Sequence, residues 1–273
     1  MKKKKLFVYR DNSLHMHHTL TLNPATDDIS FKSHSHNMVE VYYFLRGNAR
    51  FVVEGNIFEL ERGNILVMAS GQTHYLLLEP SAAYERMALL IDIAAVPPEF
   101  QSLSEQIYNG ANLFELSKRE QIWFEENFSL ITKVDTESQR NLIFSFASMV
   151  FSLLSTKLNH AAQPRVEDDT IKKTINFINK NLSNELSLEI IANALYCSKA
   201  SLNRKFREMM GCTVWEYVMR RRIFSARQRL FLSGSVTQAF ENSGFSDYSS
   251  FFRAYKKLVG VSPKEDFKKQ KAD

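Results

Sequence analysis

The sequence has 273 residues, of which 44% are hydrophobic and 24% are charged, and its formal net charge at pH 7 is +5. This length suits two domains of ordinary size, and the apolar content supports packed cores. The charge is unevenly distributed: residues 165–273 hold 20 Lys and Arg against 12 Asp and Glu, a net +8, which leaves −3 for residues 1–164. A basic C-terminal half indicates a polyanionic partner.

Cysteine content and hydropathy predict a cytoplasmic protein. The two cysteines, Cys197 and Cys212, have no His or Cys partner at metal-binding spacing, so we expect reduced, buried thiols. No stretch approaches the roughly 18 apolar residues of a membrane span. The lysine run at residues 1–5 is not followed by an apolar segment of signal-peptide length, and we expect it to form a disordered, solubilising tail.

Residues 6–95 alternate short apolar runs with turn signals, which predicts an antiparallel β-sandwich or barrel. The turn signals recur about every eight residues, at Gly47-Asn48, Gly55-Asn56, Gly63-Asn64 and Ser70-Gly71. Segments such as VEVYYFLR and NILVMAS are apolar on both faces. The sheet must therefore be covered on both sides, by its own closure and by a helix or partner.

A histidine-rich stretch begins this region's best candidate site. Period-two alternation from residue 34 predicts a strand that points five side chains to one side: His34, His36, Glu40, Tyr42 and Phe44. A second segment, GNILVMASGQTHYLLL, supplies His74. The spacing resembles the two motifs of the cupin barrel, except that Ala69 replaces a proline and no glycine stands six residues before His34.

Three imidazoles and a carboxylate suit a divalent metal such as Zn, Ni, Fe or Mn with open coordination positions. The predicted metal ligands are His34, His36, Glu40 and His74. Alternatively, these residues, together with Tyr42 and Phe44, bind an effector directly or brace the mouth of the barrel. The stretch HMHH also places His15 and His17 on one side of a strand, where we do not expect a metal.

From residue 97 the pattern changes to helices, with a short helix near residues 99–109 and two long ones at 117–133 and 137–159. The last is apolar around much of its circumference. It is either sandwiched within its domain or packed against its twin in a homodimer. Residues 161–169 contain Pro164 and several charges, which predicts a linker.

The first of two helix-turn-helix patterns occupies residues 186–211. Ser187 and Ser198 are predicted N-caps of its two helices, and the turn falls at residues 196–198. In the second helix, Leu202 and Phe206 face inward. The side chains on the other face suit base edges and phosphates: Lys199, Ala200, Asn203, Arg204 and Arg207.

The second pattern occupies residues 236–260, where Gly244 permits the turn and Ser246 or Asp247 caps the next helix. The predicted DNA-binding residues here are Asp247, Tyr248, Ser249, Arg253 and Lys256. A basic helix at residues 213–232 joins the two patterns, and its roughly 20 residues give a length of about 30 Å. Successive major-groove faces of B-DNA lie about 34 Å apart, so one chain can read two adjacent turns.

This half resembles the DNA-binding domain of the AraC/XylS family of bacterial transcription regulators. The resemblance is carried by SLNRKF at 201–206, RRRIFSARQRL at 220–230 and SGFSDYSSFFRAYKKLVGVSP at 243–263. It implies DNA contacts at Lys199, Asn203, Arg204, Tyr248, Ser249 and Arg253. One departure is Ala239-Phe240, where the family has a branched aliphatic followed by alanine; the second motif is therefore expected to be tilted or to bind DNA less tightly.

The resemblance also implies a cupin sensing domain, homodimerisation through the helices and contact with RNA polymerase. We expect an α+β two-domain fold: a cupin-like β-barrel at 1–96, a helical dimerisation segment at 97–160, a linker at 161–169 and an all-α DNA-binding domain at 170–273. The predicted function is a promoter-binding transcriptional regulator, of activator type, that responds to a small molecule such as a sugar. The alternatives are a metal-dependent cupin enzyme with a DNA-targeting domain and an effector-independent regulator whose barrel only dimerises.

Overall fold

The computed structural model describes residues 2–22, 33–78, 83–92, 95–96, 100–108, 110, 112–161, 165–166 and 169–272. The chain splits into two compact units. The first, here called the sheet unit, comprises Met1–Lys32, Met38–Ser70 and His74–Arg165. The second, the helical unit, comprises Ser33–Asn37, Gly71–Thr73 and Val166–Asp273. Pro164, predicted to mark the linker, lies outside the described residues.

Ten strands are described: β1 Lys2–Arg10, β2 Leu14–Leu22, β3 Met38–Arg46, β4 Ala49–Val53, β5 Asn56–Glu59, β6 Asn64–Met68, β7 His74–Leu78, β8 Ala83–Asp92, β9 Leu113–Glu115 and β10 Arg165–Val166. They form a six-stranded sheet, β1-β2-β8-β3-β6-β9, and a four-stranded sheet, β10-β5-β4-β7. Neighbours are antiparallel wherever their register is defined. Gly47, Gly55 and Gly63 have positive φ between successive strands, as the turn signals predicted.

The six-stranded sheet is covered on both faces, as predicted. On β3, Tyr42 and Phe44 join an apolar cluster that includes Phe51 of β4 and so lies between the two sheets. Tyr43 and Leu45 point to the opposite face, where they join a cluster with the helices. The alternation follows from the period of two along a strand.

Three helices cover that second face: α1 Gln101–Tyr108, α2 Lys118–Ile131 and α3 Thr136–Thr156, followed by a 3-10 turn at Leu158–His160. Ser117 forms a capping box with Glu120 at the start of α2, and Asp135 caps α3. Helix α3 buries Ile143, Phe146, Val150 and Leu154 within the unit. Much of its apolar circumference is therefore sandwiched inside the domain, although Met149 remains 44% exposed.

The helical unit contains α4 Asp169–Lys180, α5 Leu188–Ala194, α6 Lys199–Met210, α7 Val214–Ser233, α8 Val236–Glu241, α9 Tyr248–Val259 and α10 Pro263–Ala272. Helices α4 and α10 had no counterpart in the sequence prediction. Helix α7 contributes to two separate cores: Tyr217 packs with α4 to α6, and Ala226 packs with α8 and α9. Among the described residues, no helix is both long and apolar enough to cross a membrane.

The lysine run is not a tail. Residues Lys2–Arg10 form β1, which pairs with β2 from Lys2 opposite Leu22 to Arg10 opposite His15. The prediction of disorder was wrong because Phe7 and Tyr9, which follow the lysines, pack against the apolar cluster beneath the helices. Their burial and the ladder to β2 order the charged residues before them.

Candidate functional sites

Both predicted caps of the first helix-turn-helix are present. Ser187 Oγ accepts a hydrogen bond from the Ile190 amide at 3.1 Å, and Ser198 Oγ accepts one from the Ser201 amide at 3.2 Å. Tyr196 occupies the turn with a φ of 53° and is 98% exposed. These contacts fix where α6 begins and therefore which of its side chains face outward.

Helix α6 presents a polar outer face. Leu202 and Phe206 are buried, as predicted. Four of the five predicted DNA-binding residues on this helix are exposed: Lys199, Ala200, Arg204 and Arg207. Their side chains are therefore accessible from solvent.

Asn203, the fifth of these residues, has a structural contact that the sequence did not reveal. Its side chain is half-buried, and its Oδ1 accepts a hydrogen bond from the Val214 amide at 3.1 Å. Val214 is the first residue of α7, where backbone amides lack a partner within the helix. Asn203 therefore ties α6 to the start of the connecting helix.

Two exposed ion pairs hold basic residues of α6. The Lys199 ammonium lies 3.6 Å from the Glu189 carboxylate, and the Arg204 guanidinium lies 3.4 Å from that of Glu208. Solvent-exposed pairs contribute little stability. Both cations can therefore exchange their carboxylate partners for phosphate or base acceptors at low cost.

In the second helix-turn-helix, Asp247 is the N-cap of α9, one of the two candidates from the sequence. Its Oδ1 accepts a hydrogen bond from the Ser250 amide at 2.8 Å, and this bond lowers the pKa of the carboxyl group below its ordinary value. The other four predicted DNA-binding residues of α9 are exposed: Tyr248, Ser249, Arg253 and Lys256. Tyr248 and Ser249 are the first two residues of α9. A helix N-terminus favours anions such as phosphate.

The unusual Ala239-Phe240 pair has a clear packing role. Ala239 is fully buried in the core cluster around α7 and α9. The Phe240 ring lies 5.5 Å from that of Tyr248 and 5.7 Å from that of Phe251, measured between centroids. Phe240 thus supports Tyr248, an exposed residue of the predicted DNA surface. The predicted tilt of the second motif remains a prediction.

The arginines of α7 mostly point into the unit. Arg221 Nε donates to Asn179 Oδ1 at 3.2 Å, and Arg222 donates to the backbone oxygens of Leu182 and Asn184 at 3.0 and 2.7 Å. Arg221 and Arg222 are buried. These buried arginines of α7 therefore stabilise the fold, and the exposed arginines among the described residues of the helical unit lie on α6 and α9.

In the sheet unit, Glu40 lies at the centre of a buried polar cluster. It is 5% exposed. One carboxylate oxygen lies 3.6 Å from Nε2 of His74, and the other lies 3.5 Å from Nη1 of Arg86. Arg86 also stacks over the Tyr42 ring at 5.2 Å from its centroid. The structure thus joins three predicted site residues to an arginine that the sequence analysis missed.

The Tyr42 and Tyr84 hydroxyls are hydrogen-bonded to each other. Burial raises the pKa of both phenols, so both are neutral at ordinary pH. Phe44 belongs to the same apolar cluster as these rings. Tyr84 and Arg86 alternate along β8 toward the face that carries Glu40, and this alternation is the signal that could have identified them.

His34 and His36 do not continue the strand that carries Glu40. Strand β3 begins at Met38, opposite Asp92, and β8 ends there, so the strand does not extend back to residues 34–36. The predicted period-two strand from His34 was therefore wrong. His34 and His36 belong to the helical unit, with ring centroids 6.0 Å apart, whereas Glu40 and His74 belong to the sheet unit.

Two sequence families match the chain. An AraC-like ligand binding domain matches residues 23–121, and a helix-turn-helix domain matches residues 191–269. Together the two matches span well over half of the sequence.

Similar proteins match along most of their length. The probable transcriptional regulator LumQ of Photobacterium leiognathi is 23% identical over 251 residues, which cover 90% of this chain and 95% of LumQ. The transcriptional activator RhaR of Escherichia coli K12 is 22% identical over 255 residues, 86% of each chain. The solved structure of ToxT from Vibrio cholerae covers 94% of this chain and 98% of its own, at 16% identity and a TM-score of 0.38.

The first match lies mainly in the sheet unit, and the second lies within the helical unit. The first matched segment contains Glu40, Tyr42 and His74, and the second contains both recognition-type helices. The chain therefore belongs to the AraC family: it is a helix-turn-helix, DNA-binding transcriptional regulator with an N-terminal ligand-binding domain.

Proposed function

We propose that α6 and α9 are the two helices that read promoter DNA. The observation that carries this proposal is the distribution of cations: Arg204, Arg207 and Arg253 are exposed on these helices, whereas Arg221 and Arg222 of α7 are buried. The proposed DNA contacts are Lys199, Ala200, Arg204 and Arg207 on α6, with Tyr248, Ser249, Arg253 and Lys256 on α9. Asn203 and Asp247 would also contact DNA, in addition to the hydrogen bonds they accept at the starts of α7 and α9.

The chemistry of these side chains suits the major groove. Arginine forms two parallel hydrogen bonds to guanine, and serine and asparagine donate or accept at base edges or phosphates. The connecting helix α7 has 20 residues, and at ~1.5 Å per residue it spans about 30 Å. That length supports simultaneous contact with two successive faces of the groove, which recur about every 34 Å.

We further propose that the chain acts as a homodimer in the bacterial cytoplasm, contacts RNA polymerase and has no enzymatic activity. Exposed apolar residues on α2 and α3 support the dimer: Ile122 is 57% exposed, Leu130 56% and Met149 44%. Dimerisation would double the number of helices on DNA. A small molecule bound in the sheet unit would then alter DNA affinity by favouring one conformation of the regulator.

The direct test is the substitution Arg204→Ala, measured by fluorescence anisotropy on DNA that the wild-type protein selects from a random library. We expect a loss of about 1–3 kcal/mol in the free energy of DNA binding and a weaker sequence preference at one base pair. Lys264→Ala is the matched control because it removes an exposed charge from the same unit outside α6 and α9. An equal loss on random DNA would make Arg204 a phosphate contact, and no loss would reject α6 as a reading helix.

A further inference from the structure

The sheet unit contains a cavity of about 270 Å³. Three strands supply its walls. The lining residues are Lys5, Val8, Tyr9 and Arg10 of β1, His15, His17 and Thr19 of β2, and Arg86 and Leu90 of β8.

Strand register places this cavity on the face of the sheet that carries Glu40 and Phe44. His15 pairs with Leu90, which pairs with Glu40. Thr19 pairs with Arg86, which in turn pairs with Phe44. Directly paired residues of antiparallel strands share a face. The cavity therefore adjoins the buried polar cluster, and Arg86 belongs to both.

The lining is cationic. Lys5, Arg10 and Arg86 carry positive charge, and none of the lining residues is a carboxylate. The nearest carboxylate to Arg86 with a defined contact is Glu40, at 3.5 Å. Lys5 and Arg10 are exposed at the rim. Positive charge concentrated in a concave site raises the local concentration of anions.

The volume of the cavity limits the size of the ligand, and part of its lining is apolar. Val8 and Leu90 are the aliphatic lining residues. Pockets for drug-sized ligands enclose roughly 300–1,000 Å³, so this cavity suits a compact metabolite. Arginine and lysine side chains bind carboxylate and phosphate groups by charge-assisted hydrogen bonds.

We propose that this cavity binds a small organic anion, a carboxylate or a phosphate monoester, and that this anion is the effector of the regulator. Its charged group lies against Arg10, Lys5 and Arg86, and its carbon skeleton contacts Val8 and Leu90. Only the effector role rests on the proposed function; the anion site stands on the cavity itself.

The shared arginine supplies a route from the ligand to the cluster. An anion that hydrogen-bonds to the Arg86 guanidinium competes with the Glu40 carboxylate, which lies 3.5 Å from it. The same carboxylate lies 3.6 Å from His74 on β7. The binding event would thus be transmitted from β8 of one sheet to β7 of the other.

Calorimetric titration of the full chain with three anions tests the site: inorganic phosphate, glycerol 3-phosphate and lactate. Glycerol and lactamide are the neutral counterparts of the two organic anions. Val8→Glu places a carboxylate in the cavity, and Leu6→Glu is the matched control because Leu6 does not line it. The two side chains are exposed to nearly the same extent, 51% for Val8 and 50% for Leu6, so the cost of introducing a charge should be similar at both positions.

We expect glycerol 3-phosphate or lactate to bind wild type more tightly than its neutral counterpart. Val8→Glu should weaken that binding at least about tenfold by charge repulsion, and Leu6→Glu should leave it unchanged. The phosphate and lactate titrations decide between phosphate and carboxylate ligands. The site is refuted if no anion binds wild type more tightly than its neutral counterpart, or if both variants lose binding equally.

DNA affinity, measured on the same samples, separates the two proposals. Without ligand, Leu6→Glu should bind the selected DNA as wild type does. Anion binding that leaves DNA affinity unchanged would overturn the effector role alone. Failure of anion binding while Arg204→Ala still loses DNA affinity would overturn the cavity proposal and leave DNA reading intact.

Discussion

Arg227 of α7 donates two hydrogen bonds to the Asp266 carboxylate of α10, at 2.7 Å from Nε and 3.1 Å from Nη2. Both side chains are buried, and the Tyr255 hydroxyl of α9 donates to the same carboxylate at 2.6 Å. The connecting helix, the second recognition helix and the C-terminal helix thus meet at one ion pair. This contact fixes where α9 lies relative to α7.

Arg227→Met should destabilise the helical unit by about 3–5 kcal/mol, because it leaves the buried Asp266 carboxylate without its cation. Urea denaturation followed by tryptophan fluorescence measures the effect. In a Trp123→Phe background, Trp215 is the only tryptophan and reports on the helical unit alone. The exposed Arg253→Met is the control and should change stability by less than about 0.5 kcal/mol. Equal effects would contradict a structural role for Arg227.

The buried phenol of Tyr255 should make the helical unit less stable at alkaline pH. Burial, the charge of Asp266 and the hydrogen bond to it raise the pKa of this phenol above its ordinary value of 10.0. The unfolded chain therefore loses the proton before the folded chain does, so the contribution of Tyr255 is complete below pH 10 and declines as the pH rises beyond it. Tyr255→Phe should remove this decline. The same Trp215 readout at neutral and alkaline pH checks it, and a decline of equal size in both proteins would reject the assignment.

Asn203 offers a way to separate a capping contact from a DNA contact. Asn203→Asp keeps an oxygen to accept the Val214 amide, and so should keep the stability of the helical unit, whereas Asn203→Ala should lose about 0.5–2 kcal/mol. Both substitutions remove the amide donor that would contact DNA. We therefore expect both to weaken binding to the selected DNA, with only Asn203→Ala destabilised. If Asn203→Asp binds DNA as wild type does, the role of Asn203 is only the structural hydrogen bond to the Val214 amide.

Local signals in the sequence were sufficient to predict where these helices begin. Ser187, Ser198 and Asp247 were identifiable as caps because a short polar side chain precedes an apolar periodic segment. The inward positions Leu202 and Phe206 followed from helical periodicity in the same way. Such contacts join residues that are close in sequence, so the sequence alone contains them.

The contacts that the sequence did not predict join distant segments. Arg227 and Asp266 are 39 residues apart, and Glu40 and Arg86 are 46 apart. An arginine in a helical pattern looks the same whether it faces DNA or a buried carboxylate, and only the fold decides between them. The end of β8 at Asp92 likewise decides that β3 begins at Met38, which no property of residues 34–37 indicates.

We propose that one chain reads DNA with two helices, and hydroxyl-radical footprinting on the selected DNA tests this directly. Wild type should protect two segments per chain, centred about 10–10.5 base pairs apart on one face of the duplex. Arg204→Ala should weaken one segment and Arg253→Ala the other. A single protected segment, or the same segment weakened by both substitutions, would show that one chain does not read DNA with both α6 and α9.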